Sequence, residues 1–253
     1  MPLLETQGLT KRFGGLTVMN DINLSINEGE ILGLIGPNGA GKSTFFNLVT
    51  GVFFPTSGKI LYDGMDITKK RPYEVARLGI GRTFQLNPLF GDFTVYENVV
   101  MAHYLHPHSS VLDMYFGTKK NKENEKYIAQ SADEIIEMLG LQGVRNELAK
   151  NLPHGYQKIL GVARAVATKP KLLMLDEPLG GMNPEEIAFS LNVIKTLRDS
   201  GITVLIVEHN MQILGLCDRV FVISFGEKIF EGTPDEVRKD EKVIKTYFGG
   251  VAV

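Results

Sequence analysis

A chain of 253 residues with 43% hydrophobic and 22% charged residues can bury a core without staples, and its make-up excludes wholesale disorder, a collagen repeat and a disulfide scaffold. Lys and Arg total 27 against 29 Asp and Glu, a net charge of −2; with an isoelectric point near 6.2, this is not the footprint of a dedicated nucleic-acid binder. The one cysteine, Cys217, cannot form an internal disulfide and fits a reducing compartment, no apolar run approaches the roughly 18–20 residues that span a bilayer, and Met1-Pro2-Leu3-Leu4-Glu5 does not read as a secretory signal.

The first third reads as strands with tight punctuation. Leu3 to Leu9, Val18 to Ile26 and Glu30 to Ile35 are predicted strands, the last a short apolar run of the kind buried on both faces. Lys42 to Thr50 is predicted as a helix, and Lys59 to Tyr62 as a strand entering the turn at Asp63-Gly64. Helical patterns follow near Thr94 to His103, Asn124 to Leu139 and Gly155 to Thr168. Between the first two, residues 103–122 carry Pro107, Ser109, Ser110 and Gly117 and read as an exposed insertion, with Lys119-Lys120-Asn121-Lys122 as a solvated turn.

The last third returns to alternation. Leu172 to Leu175 and Thr203 to Val207 are apolar strands around a helix starting near Pro184, with Ile187, Leu191, Ile194 and Leu197 on one face. Val220 to Ser224 and Lys228 to Glu231 add strands, and the chain from Pro234 reads as helical. Strand–helix–strand order implies a parallel sheet with right-handed crossovers. The expected organisation is one α/β domain over 1–253, with 86–167 a helical subdomain inserted into the core formed by 1–85 and 168–253.

Gly36-Pro37-Asn38-Gly39-Ala40-Gly41-Lys42-Ser43-Thr44 fits G-x-x-x-x-G-K-[ST] in full, between a predicted strand and a predicted helix. The chemistry requires this pattern. Glycines let successive backbone N–H groups turn inward around phosphate oxygens, and the helix start aims its positive end at the anion. Lys42 adds a full charge at the terminal phosphates, and Ser43 offers a hydroxyl to Mg²⁺. Leu172-Leu173-Met174-Leu175-Asp176-Glu177 is an apolar strand ending in two carboxylates at the edge where such sheets bind ligands. Asp176 is suited to hold Mg²⁺ and Glu177 to orient or deprotonate an attacking water.

Four further features narrow the choice among phosphate-loop proteins: Phe13-Gly14-Gly15 with Val18 ahead of the loop, Arg82-Thr83-Phe84-Gln85, Leu152-Pro153-His154-Gly155-Tyr156 at a helix start, and His209 after Val207-Glu208. In this order they resemble the ATP-binding cassette family of transporter ATPases over nearly the whole chain. Within it, Arg82-Thr83-Phe84-Gln85, Asn87-Pro88-Leu89-Phe90 and Thr94-Val95-Tyr96-Glu97-Asn98-Val99 are most similar to the ATPase subunit of branched-chain (hydrophobic) amino acid importers.

The resemblance implies a P-loop ATPase fold with an N-terminal antiparallel β part, and ATP and Mg²⁺ as cofactors. Phe13 and Val18 would lie at the adenine, Phe13 by stacking, although a core aromatic is its other reading. Gln85 would reach Mg²⁺ or the water from a loop, and His209 would assist at the γ-phosphate, beside the alternative readings of a surface amide and a structural histidine. Residues 153–156 would cover ATP held by the opposite subunit. The family's Leu-Ser-Gly-Gly-Gln departs here: Pro153 stands for serine, His154 for the first glycine and Tyr156 for glutamine. The implied partners are a second ATPase subunit, separate membrane permeases docked near 86–99 and, indirectly, a substrate-binding protein; no nucleic acid is expected. The implied location is peripheral, on the cytoplasmic face of the cell membrane. A lipid or lipopolysaccharide exporter ATPase, a non-transport ATPase of the superfamily and a small-molecule kinase remain competing readings. His103, His106 and His108 match no standard metal-ligand spacing, and Cys217 reads as a small core hydrophobe.

Overall fold

The computed structural model describes residues 1–84, 88–105, 110–208 and 211–247. The chain opens with β1 (Leu4–Phe13) and β2 (Leu16–Ile26), an antiparallel hairpin closed at Phe13–Leu16 around Gly14, whose φ of 56° suits a residue without Cβ. β3 (Ile31–Ile35) leads into α1 (Lys42–Val49), followed by β4 (Ser57–Tyr62), β5 (Met65–Asp66), α2 (Pro72–Arg77) and β6 (Ile80–Arg82). The middle is helical: α3 (Val95–Ala102), α4 (Val111–Phe116), α5 (Lys119–Met138) and α6 (His154–Ala167). Then come β7 (Leu172–Asp176), α7 (Pro184–Asp199), β8 (Thr203–Val207), β9 (Arg219–Ser224), β10 (Glu227–Gly232), α8 (Pro234–Lys239) and α9 (Glu241–Tyr247).

Two sheets result. One is antiparallel in the order β2-β1-β4-β5; the other runs β10-β9-β3-β8-β7-β6 and is parallel except for β10. Period-two alternation divides the second sheet between two cores. Leu32, Leu34, Met174 and Leu205 face the antiparallel sheet and α1, where Phe45 and Phe46 fill the space. Ile31, Ile35, Leu173, Leu175 and Ile206 face the helices, where they join Val99, Ile136, Leu160 and Leu197. Each such side chain contributes about 1.5–3 kcal/mol by leaving water. On α7 the buried set is Ser190, Val193, Ile194 and Leu197, with Ile187 and Leu191 only partly covered.

Two expectations change. Lys119 to Lys122 is the first turn of α5, capped by the Thr118 hydroxyl accepting from Asn121 N, not a turn. The 103–122 stretch is not uniformly exposed: His103 is buried, its Nδ1 3.0 Å from the Val99 carbonyl and its Nε2 3.0 Å from Ser131 Oγ. Those bonds account for His103 without a metal, while His106 and His108 lie outside the described residues. Among the described residues no group of three His, Cys, Asp or Glu side chains could hold a metal, and no helix is long and apolar enough to cross a membrane. Cys217 is buried and its thiol pKa is pushed up to about 12, chiefly by burial and secondarily by Asp218, as befits a packing residue.

Candidate functional site

The loop 36–44 joins the C-terminal end of β3, a central strand, to α1. Gly36 admits no side chain: a Cβ there would lie 2.1 Å from the Ile223 carbonyl oxygen. Gly41 caps α1 at φ 104°, a conformation that L side chains rarely adopt. The loop's back is clamped by the turn between β9 and β10. Gly226 N donates to the Ala40 carbonyl at 3.0 Å, and Asn20 N donates to the Gly226 carbonyl at 2.8 Å. Val18 is held at the same place, its carbonyl oxygen 2.3 Å from where a Cβ of residue 226 would stand. Ala40 is buried in this clamp, whereas Asn38, Gly39 and Ser43 are exposed and Thr44 is half-buried.

Lys42 is buried and its ammonium donates to the carbonyls of Gly36 at 2.6 Å and Pro37 at 3.0 Å. Burial lowers its pKa, while Glu177 and, less strongly, Asp176 pull it back up. The lysine therefore senses both carboxylates that the sequence pairs with it. Phe13 is 43% exposed, which removes the core-aromatic reading. Its ring meets Phe53 edge-on at 5.3 Å and Lys11 Nζ stands 4.9 Å from its centroid.

Asp176 ends β7 beside an arginine. Arg82 Nη2 lies 3.1 Å from Asp176 Oδ2, and both side chains are only 9% exposed. Arg82 Nη1 also donates to Asn47 Oδ1 at 2.7 Å and Thr50 Oγ1 at 3.2 Å, tying the strand end to α1. Asp176 N donates to the Thr83 hydroxyl at 3.2 Å. Glu177 follows at φ 49°, an unfavourable region for a residue with Cβ, which turns the chain sharply at the sheet edge. Its N–H still pairs with the Val207 carbonyl at 2.8 Å, and its own carbonyl accepts from Lys158 Nζ at 2.6 Å. Lys158, Asp176 and Glu177 line one cavity with Thr83 and Phe84. Burial lowers the Lys158 pKa, against the opposing pull of Glu208, Glu177 and Asp176 in that order. The buried Glu208 accepts from Leu179 N at 2.7 Å, fixing the start of the next loop.

Residues 153–156 open α6. Pro153 is the N-cap, without a side-chain cap bond. His154 is exposed, with its ring against Gly181, and the Tyr156 ring centroid is 6.0 Å from that of Phe189. Gly155 N donates to Glu186 Oε1 at 3.1 Å. Asn183 caps α7 by accepting from Glu186 N at 2.9 Å, as its place before Pro184 predicts. Gln85 and His209 lie outside the described residues. Sequence reasoning passed over Arg82 as a partner of Asp176, and over Lys158, Glu208 and Glu186. The one local signal was Lys158, a cation two turns from Leu152 on the predicted helix.

A G-x-x-x-x-G-K-[ST] loop after a central parallel strand, with an acidic strand end two strands away, defines the fold of a P-loop nucleoside triphosphatase. The chain belongs to the ABC transporter family, whose model matches residues 19–180, and a model described as branched-chain amino acid ATP-binding cassette transporter matches residues 227–253. It is an ATP-hydrolysing member of that family. It is 39% identical to the high-affinity branched-chain amino acid transport ATP-binding protein BraF of Pseudomonas aeruginosa, over 98% of each chain. Identity to LivG of Escherichia coli K12, of the same description, is 38% over 98% of each chain. The structure is also similar to an ATP-binding cassette of an ABC transporter solved in its ADP conformation: TM-score 0.85, 33% identity, 98% of this chain and 99% of that one.

Proposed function

We propose that this chain powers the import of branched-chain or other hydrophobic amino acids through separate membrane permeases. The observation that carries the reading is the 39% identity to BraF across 98% of both chains, on a chain whose phosphate loop and acidic strand end are both built. The subunit would work at the cytoplasmic face of the membrane, paired with a second cassette, itself or a related chain, and served indirectly by a substrate-binding protein.

The residue roles follow from chemistry. Residues 36–44 receive the triphosphate, with Lys42 leaving its carbonyl partners for the terminal phosphates. Phe13 stacks on adenine beside Val18. The carboxylate of Glu177 accepts a proton from the water that attacks the γ-phosphorus, and His209 assists at the departing phosphate. Ser43 and Asp176 are hard oxygen donors, and without a third acidic or imidazole ligand among the described residues the set suits Mg²⁺, which takes most of its shell from phosphate and water. Ser43, Asp176 and Gln85 would hold Mg²⁺, which would offset the negative charge of the triphosphate. Residues 153–156 complete the site of the opposite cassette. The permeases would dock near residues 86–99, at the edge of the groove lined by Val52, Val75, Phe84, Pro88, Ala102 and Arg164.

The second reading is a lipopolysaccharide exporter ATPase, favoured by 36% identity over 98% of both chains to the lipopolysaccharide export protein LptB of Haemophilus influenzae. Co-purification of the tagged chain with its permeases, followed by reconstitution, separates the two. The import reading predicts that ATP turnover rises with leucine and a binding protein; stimulation by lipopolysaccharide alone would favour export.

A further inference from the structure

Helix α6 begins without a cap of its own, because Pro153 carries no side-chain acceptor. The cap comes from another helix. Glu186, in the first turn of α7, accepts from Gly155 N through Oε1 at 3.1 Å and from Asn183 N through Oε2 at 2.9 Å. One carboxylate thus bridges two helix starts, each of which attracts an anion. The contact is close: a Cβ on residue 155 would fall 2.6 Å from Glu186 Oε1. In the composite site proposed above, Gly155 N–H belongs to the helix start that faces the γ-phosphate of the neighbouring cassette. Here that donor is already committed to an acidic group of its own chain.

We propose that Glu186 is a built-in competitor for the partner's nucleotide: its carboxylate holds Gly155 N–H until the γ-phosphate of ATP bound by a second copy displaces it. Glu186 thereby sets the ATP concentration at which two cassettes close. The inference rests on the composite-site reading. A phosphate bears more charge and more acceptor oxygens than a carboxylate, so it wins the donor when it arrives. The displaced Glu186 keeps its bond to Asn183 N, and its charge continues to oppose closure.

The test uses the full chain carrying Glu177→Gln, so that ATP persists, with and without Glu186→Gln. Glutamine also serves in a capping box, so α7 keeps its start, and thermal unfolding checks this. Dimer fraction is followed against ATP by light scattering. The midpoint is expected to fall about two- to fivefold on removing the charge, with ATP affinity of the monomer unchanged by calorimetry. A midpoint that is equal or higher would overturn the proposal alone, because a purely structural cap predicts that result. Dimers of neither protein would overturn the composite site and this proposal together.

Discussion

Lys158 Nζ donates to the backbone carbonyl of Glu177 at 2.6 Å, so the helix that starts at 153–156 also fixes the main chain from which the carboxylate proposed to aim the water projects. One charged hydrogen bond thereby ties α6 to the backbone of Glu177. Lys158→Met keeps the side chain's length and removes the bond. Turnover is expected to fall by about 10- to 100-fold, the worth of a hydrogen bond to a charged group, while calorimetry shows little change in ATP affinity. Equal turnover would separate α6 from the chemistry.

Arg82 and Asp176 form a largely buried pair across two neighbouring strand ends. Arg82→Met strands a carboxylate and removes the ties to Asn47 and Thr50. Denaturant unfolding is expected to show a loss of about 3–5 kcal/mol. Adding Asp176→Leu restores part of that loss, since the uncompensated charge is its source.

Gly36→Ala forces a Cβ against the backbone oxygen of Ile223, which cannot swing aside as a side chain would. The loop must open or β9 must shift. Nucleotide binding is expected to vanish by calorimetry, with the far-ultraviolet circular dichroism of the fold retained.

Lys42 should make nucleotide binding sensitive to alkaline pH. Burial lowers its pKa in the free protein, and an added polyphosphate raises it again, so binding takes up a proton above the lowered value. Affinity is full below the free-state pKa and falls as pH rises towards the bound-state pKa. Calorimetry across alkaline pH would show this decline in the wild type and a flatter profile in Lys42→Met.

Much of this site was legible because its parts are contiguous. Residues 36–44 form one run, Asp176-Glu177 ends one apolar strand, and Asn183 directly precedes Pro184, so short-range rules placed them. Helix α4 was missed because Val111 to Phe116 leaves Leu112, Tyr115 and Phe116 exposed and shows no buried periodicity. Helix α5 begins five residues ahead of the predicted Asn124 because its first turn, all lysine and asparagine, carries no apolar periodicity, and the Thr118 cap is its one local signal. The contacts that organise the site join distant residues: Arg82 with Asp176 across 94 positions and Gly155 with Glu186 across 31. Spacing along a chain does not encode such pairs; the strand order β8-β7-β6 and the packing of α6 on α7 create them.

The decisive comparison is ATP binding against ATP turnover in Glu177→Gln. The variant keeps the loop, Lys42 and Asp176 and loses only the carboxylate proposed to take the proton from water. Binding at wild-type affinity with turnover lowered by about 10²-fold or more is the expected result. Turnover equal to wild type would contradict the assignment of Glu177 and, with it, the chemistry built on this strand end.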